Sequence, residues 1–246
     1  MSQSVWFPFS KPLETSKVPV FCFPHAGSGA SCFRDWQSQP QDLIEFVPVE
    51  LPGRETRFPE KPYQEMGDLI EDFCRDLSSF IQPNSIFFGH SFGAYIAFEL
   101  ALRFRDRNAH LVVSGSSAPS RKRTRRIAHL PDEQLISEIH SYGGIPQELF
   151  GCEELLEIFL PILRADLTLF ENYQPKLSSK ISGSLAAIGG SLDSLAPPHS
   201  LAMWEEHTLS SFDYFQIEGG HFFHKEKPNI MKKTVEKFII KTKFCK

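Results

Sequence analysis

No apolar run in this 246-residue chain approaches the roughly 18 residues that cross a membrane. The opening stretch, MSQSVWFPFSKPLE, has neither an apolar h-region nor a small-residue cleavage site, which favours a protein that stays in the cytoplasm. Cysteine is sparse and scattered, at positions 22, 32, 74, 152 and 245. An odd count without a C-x-x-C pair argues for reduced thiols rather than a disulfide framework or a zinc site. Charge imbalance is small as well: a formal −4 gives no overall pull towards nucleic acid or anionic membranes. Internal repeats, low-complexity tracts and linkers are all missing, so residues 1–246 read as one domain, a normal size for an α/β fold. What the chain has in excess is phenylalanine, 23 residues, which fits either core packing or an apolar pocket. Composition does not separate the two.

The pattern alternates short β-type runs with helical periodicity. Residues 18–23 (VPVFCF), 46–51, 85–88, 110–114, 185–188 and 212–217 read as strands. Helical spacing of apolar positions marks 64–81, 94–104 and 227–242. Alternation of this kind predicts an α/β fold, with a mainly parallel, doubly wound sheet covered on both faces and right-handed crossovers. Between residues 120 and 175 the rhythm breaks into purely helical text, LPDEQLISEIHSYGG and then ELFGCEELLEIFLPILRADLTLFENY. About 55 residues is too long for a simple crossover, and the segment reads as a helical lid over the carboxyl edge of the sheet.

The chemistry concentrates where strands end. Gly89-His90-Ser91-Phe92-Gly93 matches G-x-S-x-G between a strand and a helix, the nucleophile elbow of the α/β-hydrolases. Serine needs a base. His221 follows the last strand through a Gly-Gly loop, where the Ser…Asp/Glu…His chain order places that base. A zinc site built on Glu218, His221 and His224 lacks ligand spacing. Asp193 follows the strand at 185–188 and is the candidate to orient the imidazole; the plain alternative is a turn aspartate or helix N-cap before Ala196-Pro197-Pro198. The loop after 110–114, Gly115-Ser116-Ser117-Ala118-Pro119, offers no carboxylate. Backbone N–H groups of Phe92 and Ala26 are the expected oxyanion donors.

Longer segments carry a resemblance: FCFPHAGSGAS at 21–31, VELPGRETR at 49–57, FFGHSFGAYIAFELA at 87–101, HLPDEQLISEIHSYGGIPQELF at 129–150, FLPILRADLTLFENY at 159–173 and EGGHFF at 218–223. With these the chain resembles the type II thioesterases, the free-standing editing enzymes of non-ribosomal peptide and polyketide synthesis, which are related to the medium-chain thioesterase of fatty acid synthase. The resemblance spans nearly the whole chain. It implies hydrolysis of acyl groups from the phosphopantetheine arm of an acyl or peptidyl carrier protein, with no metal or redox cofactor. Ser91, Asp193 and His221 fall on the family's triad positions, and Ala26 and Phe92 on its oxyanion donors. Two departures stand out: HAGSG where many relatives read HAGGS, and an irregular acid loop, GSLDSLAP.

Arg121, Lys122, Arg123, Arg125 and Arg126 form a basic run at the entrance to the lid. It reads either as a solvated loop or as a dock for an acidic carrier or the pantetheine phosphate. One such run on an acidic chain does not suggest nucleic-acid binding, and nothing requires more than a monomer. An ester hydrolase or acyltransferase could use the same triad, and a silent acyl-binding protein could keep the pocket without the chemistry.

Overall fold

The computed structural model describes residues 4–9, 16–37, 43–121, 126–145 and 152–244. Six strands form one sheet: β1 (Val18–Phe23), β2 (Ile44–Pro48), β3 (Ile86–His90), β4 (His110–Ser114), β5 (Leu185–Gly190) and β6 (Phe212–Ile217). Their order is β2-β1-β3-β4-β5-β6, and every neighbouring pair is parallel.

The inner strands β1, β3, β4 and β5 read as nearly continuous apolar runs because both faces are covered, whereas the edge strand β6 is only partly buried. Side chains alternate between two cores, as the two-residue period of a strand requires. Phe21, Phe23, Phe87, Leu111, Val113, Leu185 and Ala187 pack on one side against α2 (Met66–Leu77) and α3 (Phe92–Arg103). Val20, Cys22, Phe88, Val112, Ala186 and Ile188 pack on the other, against Trp36 of α1 (Arg34–Gln37) and against Met231, Val235 and Phe238 of α8 (Pro228–Phe244). Most of the phenylalanine excess is therefore core.

Three strands differ in their limits from the sequence reading: β2 starts two residues earlier, at Ile44, β5 runs on to Gly190 rather than 188, and the end of β2 and both limits of β3 also move. The second strand ends at Pro48 rather than residue 51. Its neighbour β1 stops at Phe23, and after the Val49 N–H to Cys22 carbonyl bond of 2.9 Å there is no strand left to pair with. The third runs on to His90, paired in register with Ser114, so α3 begins at Phe92 and not at Ala94.

Between β4 and β5 lie α4 (Asp132–Ser141) and α5 (Glu153–Asn172). Leu135, Leu160, Leu163 and Leu167 from these helices form a small third core with Ala128. It reaches the main body through Ala26, in the loop that follows β1. Short helices α6 (Pro198–Ala202) and α7 (Phe223–Glu226) complete the described α-helices.

Candidate active site

The strand order reverses between β1 and β3, since β2 lies on one side of β1 and all later strands on the other. Ligands of open parallel sheets bind where the order reverses, beyond the carboxyl ends of the strands. Ser91 sits at that point, one residue past β3 and one before α3. Its backbone has φ 53° and ψ −115°, a conformation that costs a non-glycine residue of order 1–3 kcal/mol and persists only where the surroundings enforce it. They do so through the flanking glycines. A Cβ on Gly89 would lie 2.1 Å from the Gly93 carbonyl oxygen, and one on Gly93 would lie 2.3 Å from that of Phe23. The Ser91 N–H donates to the Ser114 carbonyl at 2.8 Å, fixing the turn to β4.

The sheet brings two further residues to the same edge. Asp193 leaves β5 and His221 leaves β6, and His221 Nδ1 donates to Asp193 Oδ2 at 2.9 Å, with both side chains buried. The other carboxylate oxygen, Oδ1, accepts the N–H groups of Leu195 at 2.9 Å and Ala196 at 3.2 Å. Asp193 is therefore both a turn aspartate and the partner of the histidine. With the proton held on Nδ1, the basic lone pair of the imidazole is on Nε2.

Ser91 and His221 both line a cavity of about 630 Å³, together with Ala26, Tyr95, Leu163 and Phe170. Among the described residues no hydrogen bond joins the Ser91 hydroxyl to His221; such bonds are often long in ligand-free sites and tighten when substrate arrives. Ala26 opens onto the cavity. Its neighbour Gly27 has its N–H committed to Asp166 Oδ2 at 2.8 Å. The Phe92 side chain turns into the core, while its N–H belongs to the first turn of α3, whose donors have no intrahelical acceptor.

Sequence reading left Arg54 and Asp166 without a role. Asp166, on α5, accepts Arg54 Nη2 on Oδ1 at 2.8 Å, and the pair is buried. Arg54 also donates to the Ser28 carbonyl at 3.1 Å. This ion pair ties α5 to the loop that carries Ala26. A signal was available: Asp166 is a charge on the apolar stripe of LPILRADLTLF, three residues after Leu163.

Behind His221 lies a group of buried imidazoles. His90 donates or accepts at Ser114 Oγ, 2.9 Å from its Nδ1, and its Nε2 faces the His221 backbone without a hydrogen bond of normal geometry. His224 stacks on His90 with ring centroids 3.7 Å apart, and neither of its nitrogens has a partner among the described residues. His25 lies 5.6 Å from His224. Burial holds all three well below the ordinary 6.5, and neighbouring charges such as Lys225 add to the effect. They are neutral at physiological pH. Among the described residues no cluster of three or more His, Cys, Asp or Glu side chains could hold a metal ion, and no helix is long and apolar enough to cross a membrane.

Of the basic run, Arg121 lines the cavity and Arg126 Nη2 donates to the Glu171 carbonyl at 3.2 Å. Lys122, Arg123 and Arg125 lie outside the described residues.

A family model described as "Thioesterase domain" matches residues 18–239. The gramicidin S biosynthesis protein GrsT of Aneurinibacillus migulanus is 36% identical over 89% of this chain and 87% of its own length. The medium-chain S-acyl fatty acid synthase thioesterase of Homo sapiens is 31% identical over 95% and 89%. Among solved structures, the type II thioesterase BorB from the borrelidin biosynthetic cluster superposes with a TM-score of 0.87 at 30% identity, over 97% of this chain and 99% of that one. The chain belongs to the thioesterase domain family, as an enzyme built on the α/β-hydrolase fold.

Proposed function

We propose that this thioesterase releases acyl groups from the phosphopantetheine thiol of an acyl or peptidyl carrier protein, through an acyl-enzyme on Ser91. One observation carries the proposal: the hydrogen bond of 2.9 Å that orients His221 on Asp193, at a cavity into which the strained Ser91 elbow opens. Nε2 of His221 takes the hydroxyl proton as Ser91 Oγ bonds to the thioester carbon, and the carbonyl oxygen becomes an oxyanion held by the Ala26 and Phe92 N–H groups. Collapse breaks the carbon–sulfur bond, and the imidazolium returns its proton to the leaving sulfur. Water then attacks the ester carbon, giving a proton to Nε2. The Ser91–carbon bond breaks, Oγ recovers that proton, and the free acid leaves. No step calls for a metal or redox cofactor. Apolar side chains of α4 and α5 limit bulk water around the ester, the part of a lid spanning about residues 120–175 of a single domain.

GrsT, named for gramicidin S biosynthesis, and BorB, from a borrelidin cluster, support a synthase carrier as the partner; a monomeric enzyme in the cytoplasm is part of the proposal. Arg121, with Lys122, Arg123, Arg125 and Arg126, would attract an acidic carrier. Reversing Arg123 and Arg125 to glutamate should then slow release from acyl carriers while sparing small thioesters. Equal effects on both would remove the docking idea.

The central test is covalent. A fluorophosphonate should label Ser91 and abolish thiol release from acyl carriers, and Ser91→Ala should neither label nor turn over. Faster cleavage of matched oxygen esters than of thioesters would refute the proposal.

A further inference from the structure

His90 is fully buried, stands behind the cavity rather than on its lining, and takes no part in the bond-making steps. It is nonetheless the residue before the nucleophile, at the end of β3. The consecutive side chains of His221, Phe222, Phe223 and His224 close around its ring, with centroids 5.1, 6.0, 5.8 and 3.7 Å away. The end of β4 makes room for that ring. Gly115 has φ +56°, and a Cβ there would lie 2.6 Å from His90 Cε1. One imidazole thus stands between the end of β4 and the turn that carries the base.

Packing alone would suit phenylalanine or leucine. What histidine adds is a polar atom at each end of the ring. Nδ1 lies 2.9 Å from the buried hydroxyl of Ser114, and Nε2 faces the His221 backbone, short of normal hydrogen-bond geometry. That second contact favours the protonated ring, as only an acceptor can, so it is with the His221 carbonyl and Nε2 carries the hydrogen. Nδ1 then accepts from the Ser114 hydroxyl. Burial and the neighbouring His224 and His221 keep the ring neutral, so the two ends do not exchange roles. The Ser114 carbonyl meanwhile accepts the Ser91 N–H at 2.8 Å. One residue of β4 is therefore the reference point for both the nucleophile and the base.

We infer that His90 is a positioning residue for the catalytic base: held on the Ser114 hydroxyl, it fixes the main chain of His221 relative to Ser91. This rests on the triad reading above. Asp193 orients the imidazole from its Nδ1 side, and His90 holds the backbone from which the imidazole hangs. A displacement of about 1 Å between reacting groups can cost on the order of a hundredfold in rate.

The test measures kcat, KM and melting temperature on one small acyl thioester, with rates taken per folded molecule. The proteins are wild type, His90→Phe, His90→Gln, Ser114→Ala, the double variant Ser114→Ala/His90→Phe, and His221→Ala. His90→Phe keeps an aromatic ring in place and should lower kcat about ten- to a hundredfold with KM little changed. Glutamine, an acceptor and a donor on one side chain, should recover part of that loss. Ser114→Ala, which leaves the cavity lining intact, should lower kcat in the same way. Adding His90→Phe to it should cost little more, because both changes cut one link. A filler role would appear as a lower melting temperature with kcat intact in His90→Phe, and that overturns the inference. So do losses that simply multiply in the double variant, or a glutamine no better than phenylalanine. Where His90→Phe does not fold, Ser114→Ala decides alone: lowered kcat at unchanged KM supports the inference, and wild-type kcat overturns it. His221→Ala keeps the two readings apart, since a variant that turns over like wild type would sink the triad itself.

Discussion

At the scale of single residues, Asp193 divides its two oxygens between two tasks. Oδ1 closes the turn at Leu195 and Ala196, and Oδ2 holds His221. The substitution Asp193→Asn can keep the turn through its amide oxygen while losing the negative charge behind the imidazole. We expect kcat on a small thioester to fall by roughly 10²–10⁴ while the melting temperature changes little. A variant that melts far lower, with kcat per folded molecule intact, would make Asp193 a turn residue alone. Gly93 is constrained by packing rather than charge. With its added Cβ 2.3 Å from a backbone oxygen, Gly93→Ala should prevent stable folding or sharply lower the melting temperature, and a variant that melts like wild type would contradict that contact. The glycines, the serine and the histidine were legible in the sequence because the elbow and the strand-end positions have fixed spacing. Asp193 was legible as the candidate partner of the histidine with a turn role as the alternative, and sequence does not say that one aspartate can do both. It plays both.

At the scale of elements, α5 is tied to the loop after β1 by Arg54 and Asp166. Removing one partner leaves a buried charge alone, which typically costs about 3–5 kcal/mol. Asp166→Ala should lower the unfolding free energy from urea titration by about that much and also reduce kcat, because Gly27 loses its acceptor beside the candidate donor Ala26. Asp166→Asn, which can still accept from Gly27, should recover more of kcat than of stability. Equal recovery of both would contradict this, because the ion pair and the positioning of the loop would then act as one. The helices themselves could be read from apolar spacing. Their attachment could not, because the partners stand 112 positions apart and nothing local links them.

For the whole molecule, pH acts through groups on both sides of neutrality. His25, His90 and His224 have folded values well below 6.5, so below about 6.5 the unfolded chain binds protons that the native state refuses, and stability falls as pH falls. Each histidine contributes up to roughly tenfold in the folding constant per pH unit. Glu50 acts in the opposite direction. Burial and the neighbouring Glu55 push its carboxyl up to about 9, so between its ordinary 4.5 and about 9 the native state holds the extra proton, and stability falls as pH rises. Below about 6.5 these histidines, with His207 lowered in the same sense, outweigh Glu50; above it the large upward shift of Glu50 dominates, with Glu99 raised in the same direction. Denaturant midpoints should therefore peak near pH 6.5. Glu50→Gln should flatten the alkaline side, and His224→Phe should soften the acid side. A midpoint that keeps rising from about pH 6.5 to about pH 9 would contradict this balance.

The sequence by itself determined the elements and their order along the chain, though not every limit, because period-two and helical patterns, Gly-rich strand ends and the elbow spacing are local properties of the chain. It also carried the family resemblance, through segments spread from residue 21 to residue 223. Only the tertiary structure decided which distant residues meet: Arg54 with Asp166, His90 with His224. Such pairings depend on strand order and on how the helices between β4 and β5 lie across the sheet, and no short-range pattern encodes either.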